Sequence, residues 1–229
     1  MTLAVMQPYF LPYIGYFQLI KAVDKFVVYD DVNFIKRGWI NRNNILVNGK
    51  AQLFTISLNR ASQNRLINEI EIGDDFQNFL RTIEMAYKKA PYFDEVYELL
   101  QHIIGYPDRN VANFVANSLQ KISCYLQLNT EFLMSSSIEK NNSNHGQIKI
   151  MEICQVLGAN IYINPIGGQE LYDRTYFWEK SIQLYFINSM FTPYKQFKNE
   201  FVAGLSMLDI LMFNSKEVIN EMLDNYKLI

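Results

Sequence analysis

At 229 residues with a net charge of −2, the chain carries no field that would gather nucleic acid, and 49% hydrophobic against 19% charged residues excludes a disordered protein. It is long enough to bury a full core, and residues 1–229 are expected to form a single α/β domain. The first residues lack the basic start and long apolar run of a secretion signal, and no stretch reaches the roughly 18 apolar residues of a membrane span. A cytoplasmic protein without a membrane span is the expectation.

Leu3-Ala4-Val5-Met6 is a short apolar run stopped by Gln7-Pro8, and it reads as a buried strand. After Pro12, the spacing of Ile14, Phe17, Ile20 and Val23 predicts a helix, and Phe26-Val27-Val28-Tyr29 predicts a second buried strand ending at Asp30-Asp31. Strand, helix, strand over so short a stretch implies a parallel βαβ unit. Asn48-Gly49 between two apolar runs predicts a hairpin, since both residues accept the positive φ of a type I′ turn.

Helical periodicity then occupies 74–89, 92–104 and 110–128, a middle layer or subdomain inserted at 74–128. Residues 131–134 suggest a strand, and 135–144 a polar loop, mobile or lid-like. A helix over 147–157 ends at Gly158, and Ile161-Tyr162-Ile163 forms a strand that runs into Gly167-Gly168. Residues 182–186 read as the last strand. Ser206 to Asp209 has the form of a capping box, opening a C-terminal helix in two pieces to about 226. The sum is a Rossmann-like, mostly parallel sheet with an inserted β-hairpin.

Asp30, Asp31, Lys36, Arg37, Asn41, Arg42 and Asn43 cluster just beyond a buried strand, where parallel α/β folds bind ligands. Adjacent carboxylates suit a general base or a cation, Arg and Lys suit phosphate or carboxylate, and Asn supplies both donors and acceptors. The plain alternative is a solvated loop with local ion pairs of well under about 1 kcal/mol each. Gln7 sits in the first strand–helix loop. In that loop Tyr13-Ile14-Gly15-Tyr16 has the spacing of the His-x-Gly-His motif of nucleotidyltransferases, with phenols in place of imidazoles. Gly167-Gly168 can cradle an anion or simply turn the chain. His102 and His145 have no partner at metal spacing, so no metal site is predicted. Cys124 and Cys154, both in helices, read as reduced, buried thiols.

Gln7-Pro8, Leu11-Pro12, Gly15-Tyr16-Phe17, Asp30-Asp31-Val32, Lys36-Arg37-Gly38-Trp39 and Asn41-Arg42-Asn43 together resemble the WbqC-like family of bacterial O-antigen gene clusters. The likeness continues through Tyr87, Ala90-Pro91-Tyr92-Phe93, Gly158-Ala159, Gly167-Gly168, Leu205-Ser206 and Leu208-Asp209. Two positions depart from it: Met6 stands where His is usual, and Ala203-Gly204 where Pro-Asn is usual.

The resemblance implies lipopolysaccharide or related surface-polysaccharide biosynthesis. The leading expectation is a transferase that moves an acyl or aminoacyl group to the amine of a nucleotide-linked amino sugar. Asp31, with Asp30 second, would be the base or amine-orienting carboxylate. Lys36, Arg37 and Arg42 would hold phosphates. Gln7, Asn41 and Asn43, with Tyr13, Tyr16, Gly167 and Gly168, would complete the substrate site. The acyl donor would be a carrier-protein or CoA thioester, with an acyl carrier protein as partner. A nucleotidyltransferase or adenylating enzyme using Mg²⁺ on Asp30 and Asp31, or a non-catalytic carrier-protein adaptor, stands as the alternative.

Overall fold

The computed structural model describes residues 1–73, 75–198 and 200–229. Its first unit is β1 (Thr2–Met6), α1 (Ile14–Lys21) and β2 (Lys25–Val28), with β1 and β2 parallel and Val5 opposite Val27. The chain then leaves the sheet. A hairpin of β3 (Arg42–Val47) and β4 (Lys50–Thr55) turns at Asn48 and Gly49, whose φ values of 51° and 75° are those of a type I′ turn. A short pair, β5 (Leu58–Asn59) and β6 (Glu71–Ile72), precedes α2 (Gln77–Tyr87), α3 (Phe93–Ile104) and α4 (Val111–Tyr125). The side chain of Asn110 caps α4 by accepting from the Ala112 and Asn113 amides. Asp74, within the helix expected over 74–89, lies outside the described residues.

The chain returns as β7 (Glu131–Met134) beside β2, crosses through α5 (Gly146–Val156) to β8 (Ile161–Pro165) beside β1, and continues through α6 (Arg174–Glu179) to β9 (Gln183–Ser189). After α7 (Met207–Phe213) and α8 (Lys216–Leu223), β10 (Tyr226–Leu228) adds antiparallel to β9. The sheet order is β10-β9-β8-β1-β2-β7, a Rossmann-like, mostly parallel sheet. β9 is therefore not the last strand: a three-residue edge piece is too short to show a period of its own. The strand order reverses between β1 and β8, the switch point at which such sheets open a crevice.

Strand alternation divides the core in two. Ala4, Phe26, Val28 and Ile163 face a large layer that includes Phe17 of α1, Phe114 of α4 and Leu208 of α7. Leu3, Val5, Val27 and Tyr162 face a smaller one under Met151 of α5 and Phe177 of α6. Cover on both faces explains why β1 and β2 read as unbroken apolar runs.

Two local expectations change. Cys154 is buried, which pushes its thiol up to about 12, but Cys124 is exposed because Ile122 and Ser123 take the inward positions of α4. Both cysteines are free. Ser206 does cap α7 by accepting from the Leu208 amide at 3.2 Å, but Asp209 does not reach back to close the box. Its carboxylate turns inward and accepts from the Tyr87 and Tyr194 hydroxyls at 2.8 and 2.5 Å and from the Gln196 amide at 2.7 Å.

Candidate functional site

β2 ends at Val28, so Tyr29, Asp30 and Asp31 leave the sheet at its carboxyl edge, beside the end of β7. Asp30 turns into the protein and is saturated. Its Oδ1 accepts from the Ser136 amide at 2.9 Å, and its Oδ2 from the Ser136 hydroxyl at 2.6 Å and the Asn68 amide at 3.2 Å. The backbone continues this seam: the Asp30 carbonyl accepts from the Asn68 amide and the Val32 carbonyl from that of Ile67. Asp30 thus joins the sheet edge to the segment before β6 and to the loop after β7.

Asp31 is held by charge. Its Oδ2 lies 2.8 Å from Lys140 Nζ and 3.1 Å from Lys149 Nζ, and both lysine side chains are almost wholly buried, at 1% and 4% exposure. Lys140 also donates to the carbonyls of Ser135 and Ile138. Lys149, in the first turn of α5, donates to the Asp31 carbonyl at 3.0 Å and stands over the Tyr29 ring at 5.3 Å. Burial by itself would raise the Asp31 carboxyl; Lys140, Ser135 and Lys149 outweigh that and hold it below the usual carboxylate range. Glu152 lies within electrostatic reach of both ammonium groups as well, so the cluster is an ionic network and not a bare pair. It borders a cavity of about 440 Å³ lined by Asp31, Asn33, Asn68, Ser136, His145 and Lys149. A buried ammonium group lining an open cavity is suited to an anion.

The other expected residues are distributed around this point. Gln7 follows β1, and its carbonyl accepts from the Tyr16 hydroxyl at 2.7 Å. Tyr16 is 2% exposed, so its phenol is committed to that bond, and burial pushes its ionisation far up. Tyr13 is half-buried at the start of α1, and Gly15 lets its ring lie close, since a Cβ there would fall 2.4 Å from it. Gly167 and Gly168 follow β8 across the switch point. A Cβ on Gly168 would fall 2.1 Å from the Asn164 side-chain amide nitrogen, which donates to Pro165, so any other residue here would have to shift that side chain.

Asn41 donates to the Ile56 carbonyl at 2.7 Å and Asn43 to that of Leu11 at 2.8 Å, so both amides tie the hairpin to its neighbours. Arg42 donates to Gly38 at 2.8 Å and lies over the Trp39 ring at 5.6 Å. Lys36 and Arg37 are exposed.

The polar loop at 135–144 is pinned through Ser136 and Lys140, and its Asn141 amide and Asn144 side chain donate to Glu152. A magnesium ion on Asp31 would sit against two ammonium groups, and one on Asp30 would have to displace three donors, so the two carboxylates do not fit that role. Sequence reasoning passed over Lys140, Lys149, Ser136 and Asn68, and weighed His145 only as a metal ligand. One signal was present: Lys149 falls on the buried stripe of α5 with Ile150, Ile153 and Cys154, where a lysine is stable only with a partner.

A mostly parallel sheet with helices on both faces and polar residues gathered at its carboxyl edge defines an α/β protein of the Rossmann-like kind. The model of the WbqC-like protein family matches residues 7–221, so the chain belongs to that family. It is also 29% identical over 213 residues, 91% of either chain, to the uncharacterized protein Rv1507c of Mycobacterium tuberculosis. No solved structure matches the chain. Membership is consistent with a protein associated with surface-polysaccharide gene clusters. Among the described residues, no helix is long and apolar enough to cross a membrane.

Proposed function

We propose that this chain is a transferase of bacterial surface-polysaccharide biosynthesis, moving an acyl or aminoacyl group onto the amine of a nucleotide-linked amino sugar. The observation that carries the reading is the buried ammonium group of Lys149, held by Asp31 and lining the cavity at the carboxyl edge of the sheet. A nucleotide-linked sugar brings the phosphates such a site would hold, with Lys149 as the chief donor and Gln7 and Gly167-Gly168 across the switch point. Asp31 keeps both ammonium groups in place and orients the incoming amine.

In the reaction, the amine nitrogen attacks the thioester carbonyl and a C–N bond forms as the C–S bond breaks. The amine proton passes to a base and the thiolate leaves. His145 lines the same cavity and is the side chain placed to take that proton.

The test is incubation of the purified protein with nucleotide-linked amino sugars and acyl-CoA or carrier-protein thioesters, read by mass spectrometry. An N-acylated sugar nucleotide is expected. No product across a broad donor and acceptor panel would overturn the reading. K149A keeps the Lys140–Asp31 ion pair, so the protein stays folded. Sugar-nucleotide affinity should fall by about tenfold to a hundredfold, the worth of one charge-assisted hydrogen bond.

A further inference from the structure

A second concave surface lies away from the Asp31 cavity. It is a groove of about 1080 Å³ between the end of α2, Pro91, the segment before α7, and α7 itself. Its floor is apolar: Phe197 and Phe213 meet edge to face at 4.7 Å, and Met85, 89% exposed, stands on the rim. Lys88, Lys89, Lys195 and Lys198 line it, against one lining acid, Glu84, which is engaged by Lys88 at 3.1 Å. Among the described residues, Lys89, Lys195 and Lys198 form no ion pair. The chain as a whole is acidic, with a net charge of −2, so this wall reverses the prevailing sign. Local positive charge around an exposed apolar floor is the complement of an acidic protein surface that presents an apolar anchor.

We propose that this groove docks an acidic acyl carrier protein, whose carboxylates face the lysines while an apolar side chain seats against Phe197 and Phe213. The assignment rests on the acyl-transfer reading for its donor, and the groove supplies the recognition. Carrier-borne thioesters would be captured here, whereas a CoA thioester needs no such surface.

Binding of a purified, thioester-loaded acyl carrier protein to the full chain, measured by biolayer interferometry at low and high salt, tests this. The wild type should bind with an affinity that falls with salt. K89E/K198E should lose about tenfold or more, as like charges are brought face to face. A control with the same charge change elsewhere, K50E/K121E, should bind as the wild type does.

Absence of binding, or equal loss in both variants, overturns the proposal. So does a dimer that K89E/K198E splits, which would assign the groove to a second copy of the chain. The two readings fail separately. Transfer from CoA thioesters without carrier binding removes the docking site and leaves the activity; carrier binding without transfer from any donor removes the activity and leaves the docking site.

Discussion

Asp31 and Asp209 are both carboxylates withdrawn from water, the first with 9% of its side chain exposed and the second buried outright, yet their partners differ in kind. Asp31 is met by two ammonium groups, Asp209 by two phenols and an amide. The lysines outweigh burial at Asp31 and depress its ionisation. Burial outweighs the neutral donors at Asp209 and raises it. The Asp209 cluster closes on itself. Tyr87 receives the Leu46 amide at 2.7 Å, so the network joins α2, β3 and α7 inside the core. The Asp31 cluster borders a cavity. A polar network closed inside the core reads as scaffold; an ionic one that borders open volume reads as a place for a ligand.

The sharpest way to break this contrast is to neutralise each carboxylate in turn. D31N removes the carboxylate that both buried ammonium groups contact and should cost about 3–5 kcal/mol in chemical denaturation. D209N strands no charge. It turns one acceptor into a donor facing hydroxyls, and should cost about 1–3 kcal/mol. Equal losses in the two variants would erase the distinction between an ionic and a neutral network.

The pH dependence of the same two variants should run in opposite directions. Asp31 is depressed in the fold, so its contribution is present above the unfolded value of 3.8 and is lost as pH falls through the lower folded value. The stability gap between wild type and D31N should therefore narrow on strong acidification. Asp209 is raised, so its contribution is full below 3.8 and is lost as pH rises through the folded value. The gap between wild type and D209N should widen as pH is lowered from 7 toward 4, by about 1.4 kcal/mol for each pH unit crossed between the two values. Urea titrations at several pH values read both trends, and parallel curves would show that one of the two assignments is wrong.

How far these clusters could be foreseen depended on sequence distance. β1, α1, β2 and the Asn48-Gly49 hairpin are governed by neighbours a few residues apart, so runs and turn residues revealed them. Asp30 and Asp31 stood out because they interrupt an apolar strand. Their partners did not: Ser136, Lys140 and Lys149 lie beyond the whole inserted layer, and only the return of β7 to the edge of β2 brings them close. Asp209 was visible as a helix-start residue and misjudged as a cap, because Tyr87 and Tyr194 approach it from remote segments. Asn41 and Asn43 looked like ligand groups by type, while their amides serve backbone carbonyls that no local pattern marks.

The smallest expected effect concerns the basic loop, where local sequence pointed most strongly to binding. Arg37 is exposed and holds a φ of 61°, the left-handed region in which a side chain is disfavoured and glycine is not. R37G should therefore leave stability within about 0.5 kcal/mol or raise it slightly, since relief of backbone strain offsets the added freedom of the unfolded chain. That neutrality separates two roles for the loop. If Lys36 and Arg37 hold substrate phosphates together with Lys149, R37G will weaken sugar-nucleotide binding with the fold intact, and the loss will shrink at high salt. If binding in R37G equals the wild type at every salt concentration, the loop is a solvated rim. The anion site then contracts to Lys149, Lys140 and the cavity that Asp31 holds open.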